Sequence, residues 1–138
     1  MATVRDVVSR ALRLSGVAAS DVPVDAADAA NGLEALNSML SSWEAKGVYI
    51  GHDTDYTLNS EFETGLLPDK YRDQVTWLLA EAVADEYGRP LTMTKAQNAR
   101  DAWANIKANY LVSADMTVDK GLQRMPSQRW GFWSGRKY

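Results

Sequence analysis

Apolar side chains recur with helical spacing in four separate stretches of this chain, and most of those stretches carry their own start and stop signals. In the first, Val4, Val7, Val8, Ala11 and Leu12 fall on one stripe, with Leu14 beside it and Arg5, Arg10 and Arg13 on the other side. Thr3 stands where an N-cap is wanted and Asp6 follows three residues on, a capping-box-like pair that satisfies free backbone N–H groups. Gly16 occupies the place where a left-handed C-terminal residue closes a helix. The next stretch, "VAASDVPVD", is a connection, because Asp21 and Pro23 interrupt any helix. Asp25 then offers a second N-cap, with Asp28 at the favourable end of the helix dipole. Ala29, Leu33, Leu36, Leu40 and Trp43 repeat at intervals of 4, 3, 4 and 3, Met39 widens the stripe, and Gly47 ends it.

The rhythm breaks over residues 48–68. Residues 48–50 and 56–58 are short and β-prone and are separated by the turn-rich "GHDTD". A small hairpin or an ordered loop is expected, and the aromatics in this region favour order. Near Pro68 or Asp69 a third helix is predicted, since proline suits the first helical position. Tyr71, Val75, Leu78, Leu79, Ala82 and Val83 supply its apolar face, Tyr87 extends it, and Gly88 stops it before Pro90. A fourth helix begins near Thr92 or Thr94, where Ala96, Ala99, Trp103, Ile106 and Tyr110 repeat at 3, 4, 3 and 4. Beyond Asp115 nothing periodic remains. The pattern predicts an all-α fold: a four-helix bundle-like body over residues 1–115, with a long loop or small hairpin between helices two and three. An extended C-terminal arm over residues 116–138 completes it.

Composition changes this picture in two places. A chain of 138 residues is most simply one domain, and no run approaches the roughly twenty apolar residues of a membrane span. The opening residues lack the unbroken apolar stretch of a signal peptide, so folding where the chain is synthesised is expected. The absence of cysteine excludes disulfides and thiolate metal sites. Charge is divided sharply. Residues 1–119 carry 10 Lys and Arg against 18 Asp and Glu, whereas residues 120–138 carry five cations and no acid. An acidic body with a basic, aromatic end addresses two different surfaces, and the body lacks the clustered cations that grip duplex DNA.

Candidate chemistry is sparse. His52, Asp53 and Asp55 form the one cluster that resembles a metal site, yet a dedicated site recruits three or four ligands at characteristic spacing, and a structural turn is the simpler reading. Glu61 and Glu63 alternate around Phe62 and in a strand would face one side, as paired carboxylates must for glycoside hydrolysis. The simpler reading is a solvated edge. No GxSxG elbow, Walker loop or GxGxxG is present. Trp43 and Trp103 occupy core-stripe positions, while Trp77 lies off the stripe of its helix, where a neighbouring subunit or the tail would cover it. The tail departs most from a bland reading. "RMPSQRWGFWSGRKY" holds four aromatics and four cations, a mixture poor for permanent disorder and typical of binding hot spots. Docking on a partner protein, packing on its own or a sister body, stacking on single-stranded nucleic acid and, last, an unstructured terminus are the readings it allows.

Taken in order, "VRDVVSRALRLSGV", "GLEALNSMLSSW", "LAEAVADEYG", an Ala-rich fourth helix and "RMPS" form a set. The set resembles the tail accessory, packaged-DNA stabilisation family of head-to-tail adaptors from short-tailed bacteriophages, over nearly the whole chain. The resemblance implies a virion protein at the capsid vertex, made in the host cytoplasm. It would be assembled with sister subunits into a ring (a dodecamer in that family) beneath the portal protein. Such a ring extends the DNA channel, helps retain packaged DNA and provides a platform for downstream tail or nozzle proteins. DNA passes through without sequence-specific binding. Carried onto this chain, "RMPS" is Arg124, Met125, Pro126 and Ser127, and the portal-docking arm is roughly residues 118–138. Together with the nearby cation and rings, the expected portal-binding set adds Arg129, Trp130, Phe132, Trp133 and Tyr138. No enzyme activity, cofactor, metal or membrane partner is expected. The alternatives are a virion-associated cell-wall glycoside hydrolase using Glu61, Glu63 or Asp53, and a single-stranded nucleic-acid binder acting through the tail.

Overall fold

Val4–Leu14 forms the first helix, α1, in a computed structural model that describes residues 2–50, 55–62 and 67–110. Its start is the expected one: the Thr3 backbone N–H and hydroxyl both donate to the Asp6 carboxylate, at 2.9 and 3.0 Å. At its end Gly16 adopts φ +79°, and the N–H groups of Val17 and Ala18 turn back to the Leu12 carbonyl at 3.1 and 3.2 Å. That closure uses carbonyls the helix itself leaves unpaired. The stripe Val4, Val7, Val8, Ala11 and Leu12 is entirely buried.

The second helix, α2, spans Ala26–Ala45, and the Asp25 carboxylate accepts the Ala26 N–H at 2.9 Å. Ala29, Leu36, Leu40 and Trp43 are buried as the periodicity predicts, but Leu33 is only partly so, and Gly32 and Ala35 complete the buried line. The reason is a close approach between helices. A Cβ on Gly32 would lie 2.6 Å from the Val8 Cγ1, so only glycine lets α2 settle this deeply against α1.

Described parts of the connection from α2 to the next helix form an ordered loop. Glu61 in this loop pairs with Thr3 in an antiparallel bridge. The loop is held by two devices. Its carbonyls at Ser60 and Leu58 accept the N–H groups of Val4 and Arg5, at 2.9 and 3.1 Å, satisfying donors that the first turn of α1 cannot pair internally. Asn37 on α2 exchanges two hydrogen bonds with the Tyr56 backbone, at 2.9 and 3.1 Å. Val48, Tyr56, Phe62 and Leu67 fill the core beneath it.

After Pro68, a 3-10 turn at Asp69–Tyr71 runs into α3, Arg72–Glu86, and Gly88 at φ +65° marks its end. Sequence periodicity gave α3 one apolar face. In the structure Val75, Thr76, Leu78, Leu79, Ala80, Val83 and Ala84 are all buried, because α3 packs against α1, α2 and α4 together. It is the axis of the body. The last helix, α4 at Met93–Tyr110, packs chiefly on α3 and buries only Ala99, Ala102 and Ile106. Ala96, Trp103 and Tyr110, read as stripe positions, are partly covered. The chain is therefore all-α, a bundle-like body, and no helix among the described residues is long and apolar enough to cross a membrane.

Candidate functional site

Arg124, Met125, Pro126, Ser127, Arg129, Trp130, Phe132, Trp133 and Tyr138, the expected portal-binding set, lie outside the described residues, as does the proposed boundary between body and arm near residue 115. What the structure does show is the end of the body from which that segment departs. Tyr110 closes α4 with its ring edge-on to Tyr71, centroids 5.4 Å apart, and its carbonyl accepts the Tyr49 N–H at 3.4 Å. Burial, with a smaller contribution from Tyr71, pushes the Tyr110 phenol above its ordinary value, so this ring stays neutral.

One α-helical turn and more before Tyr110, the surface of the described body opens into a broad concavity. α2 and α4 both lean on α3 but barely touch each other, leaving a groove of about 880 Å³ with α3 as its floor. Met39 and Trp43 line the α2 wall, Leu78 and Ala82 the floor, Ala96, Ala99 and Trp103 the α4 wall. Trp43 and Trp103 meet at one end, centroids 5.6 Å apart and planes tilted by 52°. Trp43 is buried, while Trp103 keeps part of its surface facing the groove. The Lys46 ammonium sits over the Trp103 ring, 5.4 Å from its centroid, a cation–π arrangement.

The far end of the groove is fixed by charge. Arg89 donates to the Gly16 carbonyl and Lys95 to the Leu14 carbonyl, both at 2.7 Å. Two cations thus cover the negative end of α1 and pin the start of α4. Nearby, the Tyr87 hydroxyl donates to Asp28 at 2.8 Å and accepts from the Asn31 amide at 3.1 Å, tying the end of α3 to the start of α2. Asn31 pulls the Tyr87 phenol down, but the bond to Asp28, burial and the nearby carboxylates outweigh it and hold the group above its ordinary value.

The remaining sequence candidates are scattered. His52 and Asp53 lie outside the described residues and Asp55 is exposed; among the described residues no three His, Asp or Glu side chains gather as metal ligands. Glu61 is exposed and its backbone pairs with Thr3, while Glu63 lies outside the described residues. Trp77 is partly buried against the core. Periodicity did not reveal the groove: it assigned Met39, Ala96 and Trp103 to core stripes, and no spacing rule says that two helices will flank a third and touch only at one end. Compared with models of known protein families the chain matches none, and it matches no curated protein sequence.

Proposed function

We propose that this chain is a non-enzymatic head-to-tail adaptor of a tailed bacteriophage, a ring-forming protein that docks beneath the portal. The observation that carries the reading is the ordered set of sequence stretches from "VRDVVSRALRLSGV" through "GLEALNSMLSSW" to "RMPS". An all-α body and the split between acidic body and cationic end support it. In this reading sister subunits associate through their bodies, and acids lining the channel repel phosphate so that DNA slides rather than sticks. The arm, residues 118–138, docks on the portal through Trp130, Phe132 and Trp133, rings suited to act as anchors. Fixing the arm in one docked conformation costs entropy, so firm attachment waits for a completed portal surface. Downstream tail proteins then build on the exposed side of the ring.

The test mixes the full chain with its own portal protein and images the complex by electron microscopy. The expected result is annular density under the portal, with portal capture reduced at least tenfold by Trp130→Ala combined with Trp133→Ala and much less by Arg136→Ala. Failure of the unaltered chain to bind its portal overturns the reading. So does lysis of purified peptidoglycan that Glu61→Gln abolishes, which would make the protein a hydrolase.

A further inference from the structure

We propose that the groove between α2 and α4 is a berth for the chain's own C-terminal aromatic segment, residues 129–134. The inference rests on the groove and the chain that leaves it, and does not require the adaptor reading. Three features favour this occupant over any other. First, among the described residues the groove is an open slot whose floor includes Leu78 and Ala82, with a partly uncovered indole, Trp103, at the end nearer the chain's exit. A large ring set against Trp103, Met39 and Leu78 removes that surface from water and gains aromatic contact.

Second, the chain reaches. Trp103 lies about 10 Å along α4 from Tyr110, at 1.5 Å of rise per residue. Residues 111–128 span up to about 60 Å when extended, so every point of the groove is within range. Six extended residues cover about 20 Å, a length matched to the walls between Trp103 and Leu91. In an extended course Trp130 and Phe132 fall on one side, with Gly131 between them, so two rings enter the slot together. Tethering supplies an effective concentration near the millimolar range, so even a weak contact is populated.

Third, charge agrees. Glu81 and Asp85 stand on the α3 side of the groove, and neither has an ion-pair partner among the described residues. Of the opposing cations, Lys46 lies over Trp103 and Arg89 is bound to Gly16, leaving Arg100 on the α4 side. Arg129 brings a cation to the two carboxylates, and residues 120–138 bring no acid. Berthed this way, the rings stay covered until a better surface draws them out.

The chain contains no cysteine, so Ser134→Cys gives a unique attachment point for a nitroxide spin label on the full-length protein. In one sample the isotope-labelled chain carries the nitroxide and is diluted tenfold into unlabelled, nitroxide-free chain. In the other, the isotope label and the nitroxide are on different molecules. Expected is a loss of more than half the signal for the Ala96 and Ala99 amides and the Trp103 indole N–H in the first sample only, restored by Trp130→Ala with Phe132→Ala. Unchanged groove signals in the first sample overturn the proposal. Attenuation confined to the second also overturns it, since the occupant would then belong to another copy. Portal capture is read separately, so either idea can fail alone.

Discussion

α1 and α4 are both amphipathic and both cationic on their outer side, yet the body treats them differently. α1 buries five consecutive stripe positions, from Val4 to Leu12, and both of its ends are closed. The Thr3–Asp6 pair and the loop carbonyls of Leu58 and Ser60 satisfy its first turn, and Lys95 and Arg89 cover its last. α4 buries two alanines and one isoleucine fully, and packs chiefly on one helix, α3. Burial area is what anchors a helix, and alanine provides little of it. A regular stripe is therefore a guide to which side faces inward, not to how firmly that side is held.

The largest expected effect separates the two helices directly. Leu12→Ala removes a fully buried side chain and is expected to cost about 3 kcal/mol, whereas Trp103→Ala, on a ring already facing the groove, is expected to cost about 1 kcal/mol. Chemical denaturation measures both, and equal losses would erase the distinction. Next in size is the charge clamp between the helices. Lys95→Met with Arg89→Met is expected to cost about 1 kcal/mol in total, through the helix-end interaction. Amide hydrogen exchange should then quicken in the first turns of α4 and the last turn of α1 together. Smallest is the capping pair. Asp6→Asn is expected to cost about 0.5 kcal/mol at neutral pH.

That last effect has a defined pH dependence. Hydrogen bonds from the Thr3 backbone and hydroxyl hold the Asp6 carboxyl below its ordinary value. A carboxyl depressed in the folded state stabilises fully above its unfolded value, about 3.9, and that stability is lost as pH falls through the lower folded value. The unaltered protein and Asp6→Asn should therefore converge in stability toward pH 2.

Much of the fold was legible because helix punctuation is local. Thr3, Asp25, Gly16, Gly47 and Gly88 each act within a few residues, and the backbone at the three glycines has positive φ. Two things were not legible, for one reason. Gly32 reads as a poor helix residue until Val8 is brought 2.6 Å from its missing Cβ, and α3 reads as one-sided until three neighbours surround it. Both depend on partners distant in sequence. The groove is of the same kind. Of the proposed docking set, sequence supplies the residue types, and the described body supplies the point from which they depart.

The two ends of α4 are fastened unequally, and this has a mechanical consequence. At its beginning, Lys95 and neighbouring Arg89 reach across to another helix; at its close the described residues show one ring contact and one long hydrogen bond, to Tyr71 and Tyr49. A pull on the chain beyond Tyr110 loads the weaker fastening first and parts α4 from α3 turn by turn, like tape lifted from one corner. Tension from that direction would be absorbed by yielding, while the three remaining helices keep their packing.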